Sequence, residues 1–155
     1  MQPPPFAVIV ADEDDVIGKV SNFSNGRGAD AVLITASTSE NTPIELASEL
    51  CRDRGRIVAL GLVGLNIPRR TFYYKELNVI VPRSAGPGVY DPLYEGKGID
   101  YPFPYVRWTE RRNMEYFLEL VSQSKVKLDR IITHRFEIDD AEKAYEMITA
   151  ELQNC

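Results

Sequence analysis

Residues 26–38 read GRGADAVLITAST, and the reading of the whole chain turns on them. Residues 31–35 (AVLIT) form a short apolar run without polar alternation, which predicts a strand buried on both faces. Small residues follow, Ala36 and Ser37 first, where a ligand could sit. The stretch has the look of half a nucleotide site. The other half, a glycine-rich phosphate loop, is not evident anywhere in the chain.

Upstream, residues 6–10 (FAVIV) are a second apolar run. The acidic residues after it suit a helix start at Asp14 or Asp15, running to about Phe23 before SNGRG breaks it. Downstream, Thr42-Pro43-Ile44-Glu45 matches a capping box with proline at the first helical position. The helix it opens is expected to reach about Arg54, with Gly55 as a left-handed cap. Residues 56–61 (RIVALG) and 78–81 (NVIV, stopped by Pro82) predict two more buried strands. Strand, helix, strand with short links is the pattern of parallel crossover units. The fold expected is α/β: a partial doubly wound, Rossmann-like parallel sheet with helices on both faces.

Beyond it, residues 86–104 are rich in Gly, Pro and Tyr and have no period. A segment of that length is functional, interfacial or a surface loop, and its tyrosines argue for packing. Met114, Phe117, Leu118 and Val121 then fall on one helical face. Residues 131–136 (IITHRF) predict a fifth strand. Asp139 with Glu142 is expected to cap a last helix with Ala141, Ala144, Tyr145 and Ile148 on its apolar side.

With 155 residues, the chain has the length of one ordinary domain. It is 44% apolar and 26% charged, as soluble globular domains are. A net charge of −5 argues against nucleic acid or an anionic membrane as partner. No apolar run reaches membrane-spanning length, and no secretory signal opens the chain. Two distant cysteines, Cys51 and Cys155, suit a reducing compartment, so cytoplasm is expected. Both ends have the look of cuts, which leads us to expect a piece excised from a longer protein.

Candidate chemistry is sparse. His134 is the only histidine, has no Cys or His neighbour, and reads as a hydrogen-bonded structural residue. Cys51 reads as a small packing residue. Neither GxSxG nor HExxH occurs. Arg69, Arg70 and Lys75 are placed to meet a phosphate or to line a solvated turn. Gly86-Pro87-Gly88 opens like GxGxxG but has Asp91 at the third glycine, and Gly61-Leu62-Val63-Gly64 has the wrong spacing for a pyrophosphate cradle. What remains is position, because doubly wound sheets bind ligands beyond the carboxyl ends of their strands. Those ends are Thr35-Ala36-Ser37, Gly61-Leu62-Val63 and Arg83-Ser84-Ala85, although ordinary strand-to-helix turns carry the same small residues.

These residues carry a family likeness. GRGADAVLITAS, a helix, and DRGRIVALGLVG together resemble the later half of the cofactor domain of medium-chain dehydrogenases/reductases, the zinc-type alcohol dehydrogenase superfamily. KLDRIITHRFEIDDAEKAYEMI resembles that family's closing strand, turn and helix, so the likeness runs from about Phe6 to Ile148. The stretch IPRRTFYYKELNVIVPRSAGPGVYDPLYEGKGIDYPFPYVRWTERRNMEYFLEL (residues 67–120) is similar to two-domain oxidoreductases of bacterial surface-polysaccharide gene clusters.

The resemblance implies that the first strand, the glycine-rich loop, the ribose-binding acid and the catalytic domain with any zinc precede FAVIV in a longer parent. That parent would use NAD or NADP on a carbonyl/alcohol pair, such as that of a sugar, and would form homo-oligomers, here through residues 78–81. By the same resemblance, Thr35, Ala36 and Ser37 would lie toward the adenine side or middle of the cofactor. Gly61, Leu62 and Val63 would border the nicotinamide ribose, and Ser84 and Ala85 would face the carboxamide. No catalytic residue is expected in this chain, and weak or no cofactor binding is expected of it alone. Two rival readings are an S-adenosylmethionine-dependent methyltransferase-like domain and a non-catalytic interaction module.

Overall fold

The structure, a computed structural model, describes residue 9 and residues 15–152. Apart from Ile9, the strand expected at residues 6–10 lies outside the described residues, as do the acidic stretch 11–14 and Cys155. The chain divides into two compact units, Met1–Val89 and Tyr90–Cys155.

In the first unit the order is α1 (Val16–Phe23), β1 (Ala29–Ile34), α2 (Thr42–Leu50), β2 (Cys51–Ala59), α3 (Arg69–Lys75) and β3 (Asn78–Ile80). The strands form one parallel sheet ordered β1-β2-β3. Helix α1 starts where the Asp15 carboxylate accepts a hydrogen bond from the Gly18 amide at 2.9 Å. Helix α2 starts one residue earlier than its capping-box pattern predicts. Asn41 is the N-cap, and its carbonyl takes the first amide bonds from Ile44 and Glu45, while Thr42 is already helical.

The register places Val32, Ile57 and Val79 on one face of the sheet, with Ile34 and Ala59 two residues further along. Helix α2 packs on that face. Ile34, Ile44, Ala47, Cys51 and Ile57 form the core, with Val32, Val63, Phe72 and Leu77 against it. Burial of such side chains contributes roughly 1.5–3 kcal/mol each. The alternate row, Leu33–Val58–Ile80, faces the other way, and Leu33 is 62% exposed. The expectation that residues 31–35 are buried on both faces therefore fails at Leu33. The clustered core residues gather on the α2 side.

The α2–β2 connection also differs from expectation. Helix α2 ends at Leu50, and Cys51 is already extended and pairs with Ala29. The next matched pair is Ala31 with Arg56, so residues 52–55 loop out of the ladder. The left-handed residue in that loop is Arg54 (φ 58°), not Gly55. Gly55 is needed for space: a Cβ there would lie 2.9 Å from the Arg52 carbonyl oxygen and 3.0 Å from the Cys51 Cβ. Arg54 is tied down by Glu76 at 2.5 Å, and this hydrogen-bonded carboxylate raises the pKa of the exposed guanidinium. The end of α2 is finished from a distance. The Lys75 ammonium donates to the carbonyls of Ser48 (2.9 Å), Glu49 (2.9 Å) and Cys51 (2.8 Å), a cation where the helix dipole favours one.

The second unit holds α4 (Tyr94–Lys97), α5 (Glu110–Ser122) and α6 (Ala141–Leu152), with 3-10 turns at Leu128–Arg130 and Ile138–Asp140. Residues 131–136 form no strand. The Ile131 and Ile132 amides turn back onto the Leu128 carbonyl (2.8 and 2.9 Å) and join no ladder, and Ile131, Ile132 and Phe136 are exposed. An apolar run becomes a strand only with a ladder partner, and no described strand offers one. The segment 86–104 is ordered by its own side chains. Asp91 Oδ1 accepts from the Leu93 amide at 2.9 Å, and the Tyr101 hydroxyl donates to Asp91 Oδ2. The Tyr94 hydroxyl donates to the fully buried Thr109 hydroxyl at 3.0 Å, and the Tyr94 and Tyr101 rings stack with centres 5.5 Å apart.

Candidate functional site

Where β1 and β2 end, their following loops are sewn together. The Ile34 carbonyl accepts hydrogen bonds from both Leu60 and Gly61 amides at 2.9 Å. Further out, Thr38 donates its amide to the Leu62 carbonyl (2.8 Å), and Gly64 donates to that of Glu40 (2.9 Å). Asn41 Oδ1 takes the Asn66 amide at 3.0 Å, and Thr38 Oγ1 takes the Glu40 amide at 3.2 Å. The carboxyl end of the sheet is thus a zipped pair of loops, residues 35–41 and 60–66.

This zip explains the glycines. A Cβ on Gly61 would stand 1.9 Å from the Ala36 carbonyl oxygen, and one on Gly64 would stand 2.4 Å from Asn41 Oδ1. Both distances are far inside van der Waals contact, so the neighbouring loop already requires both glycines. Its strand-end position and the family likeness offered Gly61 as a border of the nicotinamide ribose. In the fold, the group that meets it is the Ala36 peptide.

The structure places the other candidate residues as follows. Thr35, Ala36 and Ser37 are exposed along the first loop. Leu62 is 81% exposed on the second, while Val63 turns inward onto the core. Ser84 is exposed and Ala85 half-buried after β3, in a turn closed by the Gly86 amide on the Arg83 carbonyl at 3.2 Å. The loops carrying Thr35, Ala36, Ser37 and Gly61, Leu62, Val63 are joined by the zip. Ser84 and Ala85 follow the next parallel strand of the same sheet. Thr38 and Asn41, which organise this edge, are absent from the sequence-derived site. The Ser/Thr/Asn cluster T-S-E-N at residues 38–41 was the signal for them.

The strand end after β1 carries only the short, exposed side chains of Thr35, Ala36 and Ser37. A pyrophosphate needs a helix N-terminus with open amides and no nearby carboxylate, and neither α1 nor α2 supplies one. Asp15 already occupies the start of α1, and Glu45 lies in the first turn of α2. A cleft of about 530 Å³ does exist in the first unit, but at the amino ends of the strands, between Ile17, Arg27, Leu50, Arg52 and Lys75. Two of its cations are engaged: Arg52 pairs with Asp30 at 2.6 Å, holding that carboxyl below its ordinary range, and Lys75 is committed to the end of α2. Cys51 beside it is buried, which pushes its thiol above the usual range.

Among the described residues no group of three or more His, Cys, Asp and Glu gathers to hold a metal. His134 is exposed; its Nδ1 lies 2.9 Å from Thr133 Oγ1, and its ring stacks on Phe136. No described helix is long and apolar enough to cross a membrane. Arg69, Arg70 and Lys75 are in α3, not in a turn.

No protein-family model matches the chain, and no curated protein matches it by sequence. Solved structures match it by shape. An alcohol dehydrogenase from Thermus sp. ATN1 superposes with TM-score 0.57 at 17% identity, over 92% of this chain and 36% of that one. A zinc-dependent alcohol dehydrogenase 2 from Streptococcus pneumonia gives 0.59 at 14%, over 93% and 34%. Escherichia coli quinone oxidoreductase, in complex with NADPH, gives 0.52 at 16%, over 92% and 39%. This chain therefore shares the fold of a part of these oxidoreductases and spans a little over a third of their length.

Proposed function

We propose that this chain is the later part of the cofactor-binding domain of an NAD(P)-dependent oxidoreductase of the medium-chain dehydrogenase/reductase type. The observation that carries this is the zipped carboxyl end of a parallel sheet, lined by Thr35, Ala36, Ser37 and Leu62, in a chain that superposes on alcohol dehydrogenases and quinone oxidoreductases. A bound nicotinamide cofactor supplies the hydride, exchanged with a carbonyl/alcohol pair. The residues of this chain position it. The 35–37 loop offers short side chains along the adenine side or middle, residues 61–63 border the nicotinamide ribose, and Ser84 and Ala85 face the carboxamide.

Gly61 serves this arrangement indirectly, by letting the second loop lie against the Ala36 peptide. The rest of the reading rests on the sequence likeness. The parent is soluble and cytoplasmic, acts on a sugar derivative in surface-polysaccharide assembly, and self-associates along β3, an edge strand of the sheet.

The test compares this chain with the longer gene product, by calorimetric titration with NADH, NADPH and S-adenosylmethionine. This chain alone is expected to bind the dinucleotides weakly or not at all, and the longer protein is expected to bind one of them. Ser37→Trp in the longer protein should weaken that binding about tenfold with the fold unchanged. Ser37 is the site to vary because it is exposed, whereas a side chain at Gly61 would force the loops apart. Wild-type affinity in Ser37→Trp would remove the strand-end site, and saturable binding of S-adenosylmethionine alone would replace the oxidoreductase reading with a methyltransferase.

A further inference from the structure

We propose that the second unit carries a binding site for a small-molecule oxyanion, centred on Arg107. The guanidinium carbon of Arg107 lies 4.6 Å from the Phe103 ring centre and 4.4 Å from that of Trp108. Trp108 packs on Tyr116 of α5 with centres 5.2 Å apart. Phe103 is braced by a second arginine: the guanidinium carbon of Arg112 is 5.1 Å from its centre. The arginine is therefore held by rings that are themselves held.

Three arginines fall within six residues here, and two are neutralised. Arg111 pairs with Glu115 at 2.7 Å. Arg112, largely buried, pairs with Asp100 and donates to the Val106 carbonyl at 2.7 Å. Arg107 has neither an ion-pair partner nor a hydrogen-bond acceptor among the described residues, and it is exposed. Rings attract a cation but accept none of its directional hydrogen bonds. Five N–H donors on a pre-positioned fork are thus left for an outside acceptor. A carboxylate or a phosphate matches that fork with two oxygens. Phe103 and Trp108 keep about half of their surface open beside it (51% and 42%), so the body of the ligand has apolar ring faces to rest on. The site is independent of the cofactor reading, since every residue in it belongs to the second unit.

Trp108 is the chain's single tryptophan, so its emission reports on this site alone. The full chain is titrated with inorganic phosphate and, separately, with acetate, using chloride at matched ionic strength as reference and calorimetry as a second readout. A saturable change with phosphate assigns a phosphorylated ligand, one with acetate assigns a carboxylate, and chloride should give none. Arg107→Ala should weaken the response at least tenfold. Arg107→Lys, which keeps the charge and loses the fork, should weaken it several-fold, and Arg111→Ala should leave it unchanged. Absence of saturation with both anions in the unaltered chain overturns the proposal. So does an Arg107→Lys or Arg107→Ala protein that binds as tightly as the original.

Discussion

The two units are held together in different ways. In the first, backbone ladders carry the structure, and one apolar core excludes water completely at Ile44 and Ile57. In the second, no described hydrophobic side chain is fully buried; Thr109, a polar residue, is the one that is. There the work is done by hydroxyl, carboxylate and guanidinium contacts and by stacked rings. Its helices leave Met114, Phe117, Leu118, Tyr145 and Ile148 open to solvent. A β-ladder repeats its bonds at every residue, so it tolerates plain Val, Leu and Ile. A loop without a ladder has to satisfy each turn with a particular side chain.

The strongest way to break this contrast is at Ile57. Ile57→Ala removes a fully buried side chain from the middle strand and should cost about 2–5 kcal/mol in urea unfolding followed by circular dichroism. Leu118→Ala, on the exposed stripe of α5, should cost about 0.5 kcal/mol or less. Equal losses would mean that the second unit has a buried core after all.

Next in size is Lys75→Met, which strips the cap from the last carbonyls of α2. A loss of about 1–2 kcal/mol in the same measurement is expected from the missing charged hydrogen bonds. A neutral result would show that water caps those carbonyls as well as the ammonium does. Thr109→Val tests the second unit in the same way. It keeps the shape but removes the partner of the Tyr94 hydroxyl, and about 1 kcal/mol should be lost.

The smallest effect concerns pH. Burial raises the Cys51 thiol, so the unfolded chain ionises there first as pH rises. The unfolded state then binds fewer protons than the folded one, and stability from this group declines above the ordinary thiol range. The stability gap between the unaltered chain and Cys51→Ala should narrow from pH 8 to pH 10, and a constant gap would contradict the assigned burial.

The same contrast decides what could be read from the residues beforehand. AVLIT, RIVALG and NVIV were legible as strands because a parallel sheet leaves continuous apolar runs behind it. IITHRF has the same composition and is not a strand, because pairing depends on a partner that composition does not reveal. Arg54 rather than Gly55 takes the left-handed conformation, and Gly55 answers instead to crowding from Arg52 and Cys51, which its neighbours in sequence do not reveal. The strand-end position of the candidate site followed from topology. The reason for Gly61 did not, because the group it accommodates lies 25 residues away in sequence on another loop. Phe103, Arg107 and Trp108 follow no period, so no pattern announced their stack.

Lys75 has one more consequence, for the order in which the chain is made. The three carbonyls it caps lie 24 to 27 residues before it. Synthesis runs from the N-terminus at about 5–20 residues per second. A nascent α2 therefore emerges from the ribosome with its last turn unfinished and stays so for a second or more, until residue 75 has been added and has cleared the exit tunnel. The helix that supplies Ile44 and Ala47 to the core is completed by a residue translated after the middle strand, which makes β2 and α3 part of one cotranslational step.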